Sequence, residues 1–465
     1  MLGVDRPPSF RWRDCGLCQR SALALVALLL LLHGAYSLTP DLALAPRNLA
    51  FLAGSVLLVL LLGGYWLFWR ILFAPDRPSA WAGAPDLLDA LFPALMLASA
   101  AYFSLPNRLA LELIAPFVLV QASLLTWGRL RLSVLLTCAV LLVALVVAVA
   151  GVSFDHVGAD MLPVIAWADR TFLHGLNPYF EDYTSVTPGP FFYLPLQWLV
   201  YLPFVALHLD LRLLNLASVF STIGLYLLLW RDIPRRWTGF ALLLALIASR
   251  PSTEMVYQGE VWPLWFMVSA FAVAFYRRRL RLAAVLLGLL LACNQTTLVL
   301  AALISVYQVR SGTNWRETLL LGAIVLIVYC VIVFPFARGV VVFIDEYYII
   351  VPHLGGIMTE RAFHNSITQV SLVNVLTRLG LIGLRGPLQF AVGILGMAVI
   401  VLRRRTTPQE FLAVCALTYL VAIGLNVVVW KYYYIQGLVM LFWSIYAPVG
   451  ATPLRPAGAV PEAPQ

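Results

Sequence analysis

The stretch GADMLPVIAWADRTFLHGLNPYF, residues 158–180, lies between apolar runs long enough to cross a bilayer, yet it carries two carboxylates, Asp160 and Asp169. From Asp160 to Gly175 the spacing of Met161, Val164, Ile165, Ala168 and Phe172 predicts an amphipathic helix. Asp160 stands at or before its N-terminus, Gly175 is its stop, and Asn177-Pro178-Tyr179 is a turn. Such a helix is expected on the outer leaflet, its apolar side resting on the membrane. Locally, Asp160 reads as the cap of that helix. Asp169 matches no motif and reads as a solvated or structural carboxylate.

The surroundings set the fold class. Of 465 residues, 62% are hydrophobic and 11% charged, and the mean hydropathy is +0.89. A soluble domain of this length needs far more polar surface, so the chain is expected to be an all-α polytopic membrane protein of about 12–14 transmembrane helices. The net charge of +9 is no sign of nucleic-acid binding, because the arginines cluster at the ends of apolar runs. The run from Ser21 to Leu32 reads as the first span, not as a cleaved signal. Cys15 and Cys18 form one CxxC without a second pair, so a zinc site lacks ligands.

Arginine also sets the orientation. GRLR at 128–131, RDIPRR at 231–236, RRRLR at 277–281 and RRR at 403–405 are expected on the cytoplasmic side. Acidic 153–190 and polar 338–386 then form two outer loops. Both runs between 190 and 231 cannot cross under that rule. The run 191–207, with Pro195 and Pro203, is expected to be re-entrant or interfacial; otherwise RDIPRR breaks the rule. Residues 1–128 form an N-terminal extension of four spans, 129–450 the polar-bearing core, and 451–465 a disordered tail.

Six pieces of that core carry chemistry. Asp160 opens the first outer loop, with Asp155 as a second carboxylate there. Tyr193-Leu194-Pro195-Leu196 opens an apolar run whose aromatics suit an interfacial belt. Arg250, Glu254, Gln258 and Glu260 precede a span, Glu260 at its mouth, as a site group or as a helix N-terminal charge. Asn294, Gln295, Thr296 and Thr297 interrupt a hydrophobic stretch and are expected to break the helix around a cavity. Glu360, Arg361, His364, Asn365 and Ser366 precede an amphipathic helix over 367–379, and the intrinsic pKa of His364 suits acid–base work. Lys431 and Tyr432 lie at an outer face, where a cation suits an anionic partner or snorkels to headgroups.

In this order the pieces resemble the GT-C class of glycosyltransferases, most nearly family 87, the polyprenyl-phosphate-mannose-dependent alpha-mannosyltransferase-like proteins. The resemblance rests on Asp160, GLNPY at 175–179, YLPL at 193–196, GEVW at 259–262, NQTT at 294–297, HNSI at 364–367 and WKYYY at 430–434. Glu260 stands where the family usually has Gln, and Asn294 where Lys is frequent. The resemblance implies inverting transfer at C1 of a hexose or pentose, mannose foremost, from a polyprenyl-phosphate donor to a glycan or glycolipid hydroxyl. It implies a bacterial plasma-membrane protein among membrane lipids, its site facing outside. Asp160 is then the base, with Asp155 as the alternative and His364 and Glu260 as helpers. Lys431, Arg361 and Arg250 are phosphate-clamp candidates, and Asn365, Tyr432, Tyr193, Asn294 and Gln295 line the substrate site. A divalent metal is left open, since members of the class differ and no ligand spacing here decides it. Two other readings remain: a lipid or solute transporter or flippase, and a non-catalytic membrane subunit.

Overall fold

A helix that is apolar on every side has to sit among other helices or in lipid, whereas one with a polar side must turn it somewhere. A computed structural model describes residues 130–151, 154, 161–181, 191, 193–233, 236–248, 250–311, 314–344, 376, 379–402, 408–425 and 433–446. It is helical, and no strand occurs among the described residues. The expected N-terminal spans, the CxxC, the helix over 367–379 (apart from 376 and 379) and the tail 451–465 lie outside them.

The helices are α1 (Leu130–Gly151), α2 (Met161–Leu173), α3 (Pro195–Leu199), α4 (Leu202–Ala206), α5 (Arg212–Leu228), α6 (Arg236–Ala248), α7 (Arg250–Tyr257) and α8 (Trp262–Tyr276). They continue as α9 (Leu280–Cys293), α10 (Leu298–Arg310), α11 (Trp315–Val333), α12 (Ala337–Ile344), α13 (Arg385–Leu402), α14 (Pro408–Gly424) and α15 (Tyr433–Tyr446). The uniformly apolar α8, α14 and α15 occupy the centre, where Trp265, Phe411, Leu441 and Trp443 are fully enclosed. At the periphery the apolar side chains turn outward: Leu319, Ile327 and Val331 on α11, and Phe390, Ile394 and Leu402 on α13, are exposed. A water-soluble surface does not carry continuous apolar faces of this size. The stretches Trp315–Val341 (27 residues) and Arg385–Leu402 (18 residues) are long and apolar enough to cross a bilayer. The chain is an all-α polytopic membrane protein.

The helix bundle has two chemically distinct ends. At one, Arg277 pairs with Asp232, Arg310 donates to the Val401 carbonyl at 3.3 Å, and Arg278 and Glu410 both act on Tyr307. At the other lie Glu260, the Asn294–Thr297 turn and the α2 region. The run 191–207 stays at this second end, as expected. It folds as α3 and α4, five residues each; together Pro195–Ala206 form one apolar stretch of about 18 Å, shorter than the roughly 30 Å hydrocarbon core. Prolines at the first or second position of each helix start them without loss of a hydrogen bond. Helix α5 then carries the chain from the Glu260 end to the arginine end, where Asp232 meets Arg277.

Two expectations are corrected here. The apolar side of α2 does not rest on the membrane: Leu162, Val164, Ile165 and Ala168 are buried in protein, in a cluster with Phe191, Trp198, Val333 and Phe336. The aromatics of 191–204 are no interfacial belt either. Phe191, Tyr193, Trp198 and Tyr201 belong to the same buried cluster, because the short helices expose too little length to reach lipid and pack beneath α2 instead.

Candidate functional site

Helix α2 ends where the sequence stops it. Gly175 takes φ +80°, with the amide of Gly175 bonded to the Phe172 carbonyl (2.9 Å) and that of Leu176 to Thr171 (3.1 Å). This paired closure satisfies the last carbonyls of the helix. Asn177 Oδ1 then accepts from the Tyr179 amide at 3.1 Å, which folds Pro178–Phe180 into a turn. Tyr179 Oη donates to the Tyr193 carbonyl at 2.6 Å, tying the turn to the start of α3. Its ring meets Phe191 edge-on at 5.1 Å and lies so close to Gly339 on α12 that a Cβ there would strike it. Burial pushes the Tyr179 phenol far above its usual range, so it acts as a neutral donor. GLNPY is thus an anchor that clamps the end of α2 between α3 and α12.

Asp169 is no solvated carboxylate. It is 0% exposed, and among the described residues neither carboxylate oxygen has a hydrogen-bond partner. Burial raises its pKa from 3.8 to about 8, since an unpaired charge is costly away from water. Its place on the buried face was legible in the spacing: Asp169 follows Leu162 by two helical turns and precedes Phe172 by three residues. Phe172 itself stacks edge-on against Trp198 at 5.5 Å.

Glu260 is 3% exposed at the mouth of α8. Gln197 Nε2, from α3, donates to its Oε1 at 2.9 Å. The preceding turn is held from behind: Asn215 Nδ2 on α5 reaches the carbonyls of Gly259 (2.7 Å) and Val256 (3.0 Å), and Trp262 Nε1 reaches that of Ser252 (2.9 Å). Tyr201 donates to Asn215 Oδ1 at 2.6 Å, and its hydroxyl lies in the field of Glu260, Cys293 and Asp169 together.

The Asn294–Thr297 break occurs as expected, although it separates two whole helices, α9 and α10, that run back toward the arginine end. Asn294 is extended (φ −151°, ψ 124°). Its Oδ1 accepts from the Thr296 amide (2.9 Å) and hydroxyl (2.7 Å), so this buried side chain is occupied in shaping the turn. From Thr296 a chain of contacts continues through Tyr419 Oη (3.3 Å) to Gln436 Oε1 (3.0 Å). The turn at Asn294–Thr297 is therefore linked through α14 to the first turn of α15. Among the described residues Gln436 Nε2 has no partner despite being buried.

Between α8, α9, α10 and α11 runs an apolar groove of about 620 Å³, lined by Phe275, Leu287, Leu291, Val325, Tyr329 and Val340. It extends from Leu280 at the arginine end to Leu194 beside α3.

Of the residues singled out in the sequence, Glu260, Tyr193 and Asn294 lie at one end of the bundle. Arg250 opens α7 and Gln295 the turn after Asn294. Asp160, Asp155, His364, Arg361, Asn365, Lys431 and Tyr432 lie outside the described residues. Among the described residues no three His, Cys, Asp or Glu side chains gather to hold a metal ion. Sequence reasoning missed Gln197, Tyr201, Asn215 and the Asp210–Arg212 pair. Arg212 is buried and bonds Asp210 at 2.5 and 2.9 Å. Burial would raise the Asp210 pKa, but those bonds outweigh it and hold the carboxyl below its usual range. An Asp-x-Arg at the start of an apolar helix was the available signal.

This arrangement is that of a helical membrane protein with buried carboxylates gathered at one face and an apolar groove leading toward them. The family model for glycosyltransferase family 87 matches residues 189–427, just over half of the chain, and the chain belongs to that family. No curated protein and no solved structure matches it. The protein is thus a membrane glycosyltransferase by family.

Proposed function

We propose that the protein transfers a sugar, mannose foremost, from a polyprenyl-phosphate donor to a hydroxyl of a glycan or glycolipid on the outer side of a bacterial plasma membrane. The observation that carries the lipid-linked donor is the groove: a trough of about 620 Å³ lined chiefly by aliphatic and aromatic side chains, running beside α9 toward the Glu260 end. From Leu280 to Leu291 it follows about 16 Å of helix, long enough for several isoprene units. A water-soluble nucleotide sugar has no use for such a surface.

The chemistry follows from inverting transfer. The acceptor oxygen attacks C1 from the face opposite the phosphate. The C1–O bond to polyprenyl phosphate breaks, and the lipid phosphate leaves with the electron pair. Asp160 takes the acceptor proton as the new bond forms. Lys431, Arg361 and Arg250 hold the departing phosphate, with Asn365, Tyr432, Tyr193, Asn294 and Gln295 around it, and Glu260 and His364 orient the reacting groups. Asp155 is the alternative base. Membership of a glycosyltransferase family supports transfer over transport.

Filling the groove tests the donor class. Ala284→Trp should raise the KM for a long-chain polyprenyl-phosphate mannose about tenfold, while a short-chain analogue is used as before. Equal effects on both chain lengths would refute groove binding of the lipid.

A further inference from the structure

Asn215 sits in the first turn of α5, and nothing in the sequence pattern marks it. It is 0% exposed, and both of its polar atoms are engaged. Oδ1 accepts from Tyr201 Oη at 2.6 Å. Nδ2 faces three backbone carbonyls: Met255 at 3.3 Å, Val256 at 3.0 Å and Gly259 at 2.7 Å. Met255 and Val256 close α7, whose last carbonyls have no partner within their own helix. Gly259 immediately precedes Glu260. One amide from α5 therefore supplies the C-terminal cap of α7 and fixes the turn that delivers Glu260 to the mouth of α8.

The other support for Glu260 comes from the same direction. Gln197 and Tyr201 are four residues apart and face the same way. Gln197 holds the Glu260 carboxylate directly at 2.9 Å, and Tyr201 holds its backbone through Asn215. Short buried networks of this kind specify one geometry, because each lost bond leaves a polar group stranded. The segment 197–201 also packs beneath α2, the helix that follows Asp160 in the chain.

We infer that Asn215 is a positioning residue: with Tyr201 and Gln197 it sets the place of Glu260 relative to the α2 loop. The inference rests on the proposed role of Glu260 in transfer. It differs from a general packing role in requiring that the effect of Asn215 pass through Glu260.

The test uses the full-length protein in native membranes or nanodiscs, with radiolabelled undecaprenyl-phosphate mannose as the probe and label incorporated into membrane glycans and glycolipids as the readout. Asn215→Ala should lower kcat about tenfold with the donor KM changed less than about twofold, since small misplacements of a reacting group act on the chemical step. In a Glu260→Gln background the same substitution should cost less than about twofold, because residues acting as a unit are not additive. Tyr201→Phe, which removes one hydroxyl, should behave likewise with a smaller loss and covers the case in which Asn215→Ala does not fold. Independently of activity, hydrogen exchange at 257–261 should rise in Asn215→Ala while Trp262–Tyr276 stays protected. Equal losses in both backgrounds, or unchanged exchange at 257–261, would overturn the positioning role. A folded Glu260→Gln protein with full kcat would instead remove Glu260 from the reaction, and the inference with it. Absence of transfer by the wild type, with the exchange result intact, would reject the donor reading alone.

Discussion

Gln197 Nε2 donates to Glu260 Oε1 across 2.9 Å, joining two buried side chains 63 positions apart in sequence. Gln197→Ala removes that donor from a carboxylate that is 3% exposed. Losing a hydrogen bond to a buried polar group costs about 1–3 kcal/mol. A lower melting temperature in detergent is expected, with transfer down about tenfold. Gln197→Glu should do more damage, because it sets a second carboxylate against the first. A wild-type melting temperature for Gln197→Ala would mean that the bond carries no stability.

Asp169, in the loop helix α2, gives stability a pH dependence. In the unfolded chain its carboxyl ionises near 3.8, and in the folded protein near 8. Between those values the folded state holds a proton that the unfolded state has released. Its contribution is therefore full below about pH 4, is lost as pH rises toward about 8, and is flat above that. The slope is on the order of 1.4 kcal/mol per pH unit. Asp169→Asn cannot ionise, so melting temperatures at pH 5 and pH 8.5 should converge in the variant and diverge in the wild type. Equal divergence in both would assign the pH dependence to other groups.

The Tyr179–Gly339 contact tests the anchor at the end of α2. Gly339→Leu puts a side chain where the Tyr179 ring lies, and overpacking of this kind costs about 1–3 kcal/mol. Tyr179→Phe loses the bond to the Tyr193 carbonyl and the acceptor that Trp198 Nε1 reaches at 3.5 Å, about 1–2 kcal/mol together. Limited proteolysis near 181–190 should accelerate strongly in Gly339→Leu and slightly in Tyr179→Phe. No change in Gly339→Leu would show that the turn is held without α12.

The fold class and several local features could be read from the sequence because they depend on composition and near neighbours. Hydropathy gave a polytopic helical protein, Gly175 gave the end of α2, NQTT gave a helix break, and Pro195 with Pro203 gave a segment that does not cross. The errors concern what packs against what. Leu162, Ile165 and Phe191 have the same hydrophobic signature whether they meet lipid or protein, and here they meet protein. Asp169 matched no motif; the spacing put it on the apolar face of α2, but that this face is buried in protein follows from α3 and α4 folding beneath it. Asn215 and Gln197 are single amides in apolar runs, and their partners at 255–260 lie forty or more residues away, beyond any periodicity argument. The place of Glu260 at a helix mouth was legible because it is a local property.

The most direct measurement of the proposed activity is transfer of label from radiolabelled undecaprenyl-phosphate mannose to membrane glycans and glycolipids, comparing wild type with Asp160→Asn in membranes containing equal amounts of folded protein. The expected result is robust transfer by the wild type and a loss of at least about a hundredfold in the variant, within the range that removal of a general base produces. Undiminished transfer by Asp160→Asn would contradict the assignment of the base, and no transfer by the wild type would contradict the donor itself.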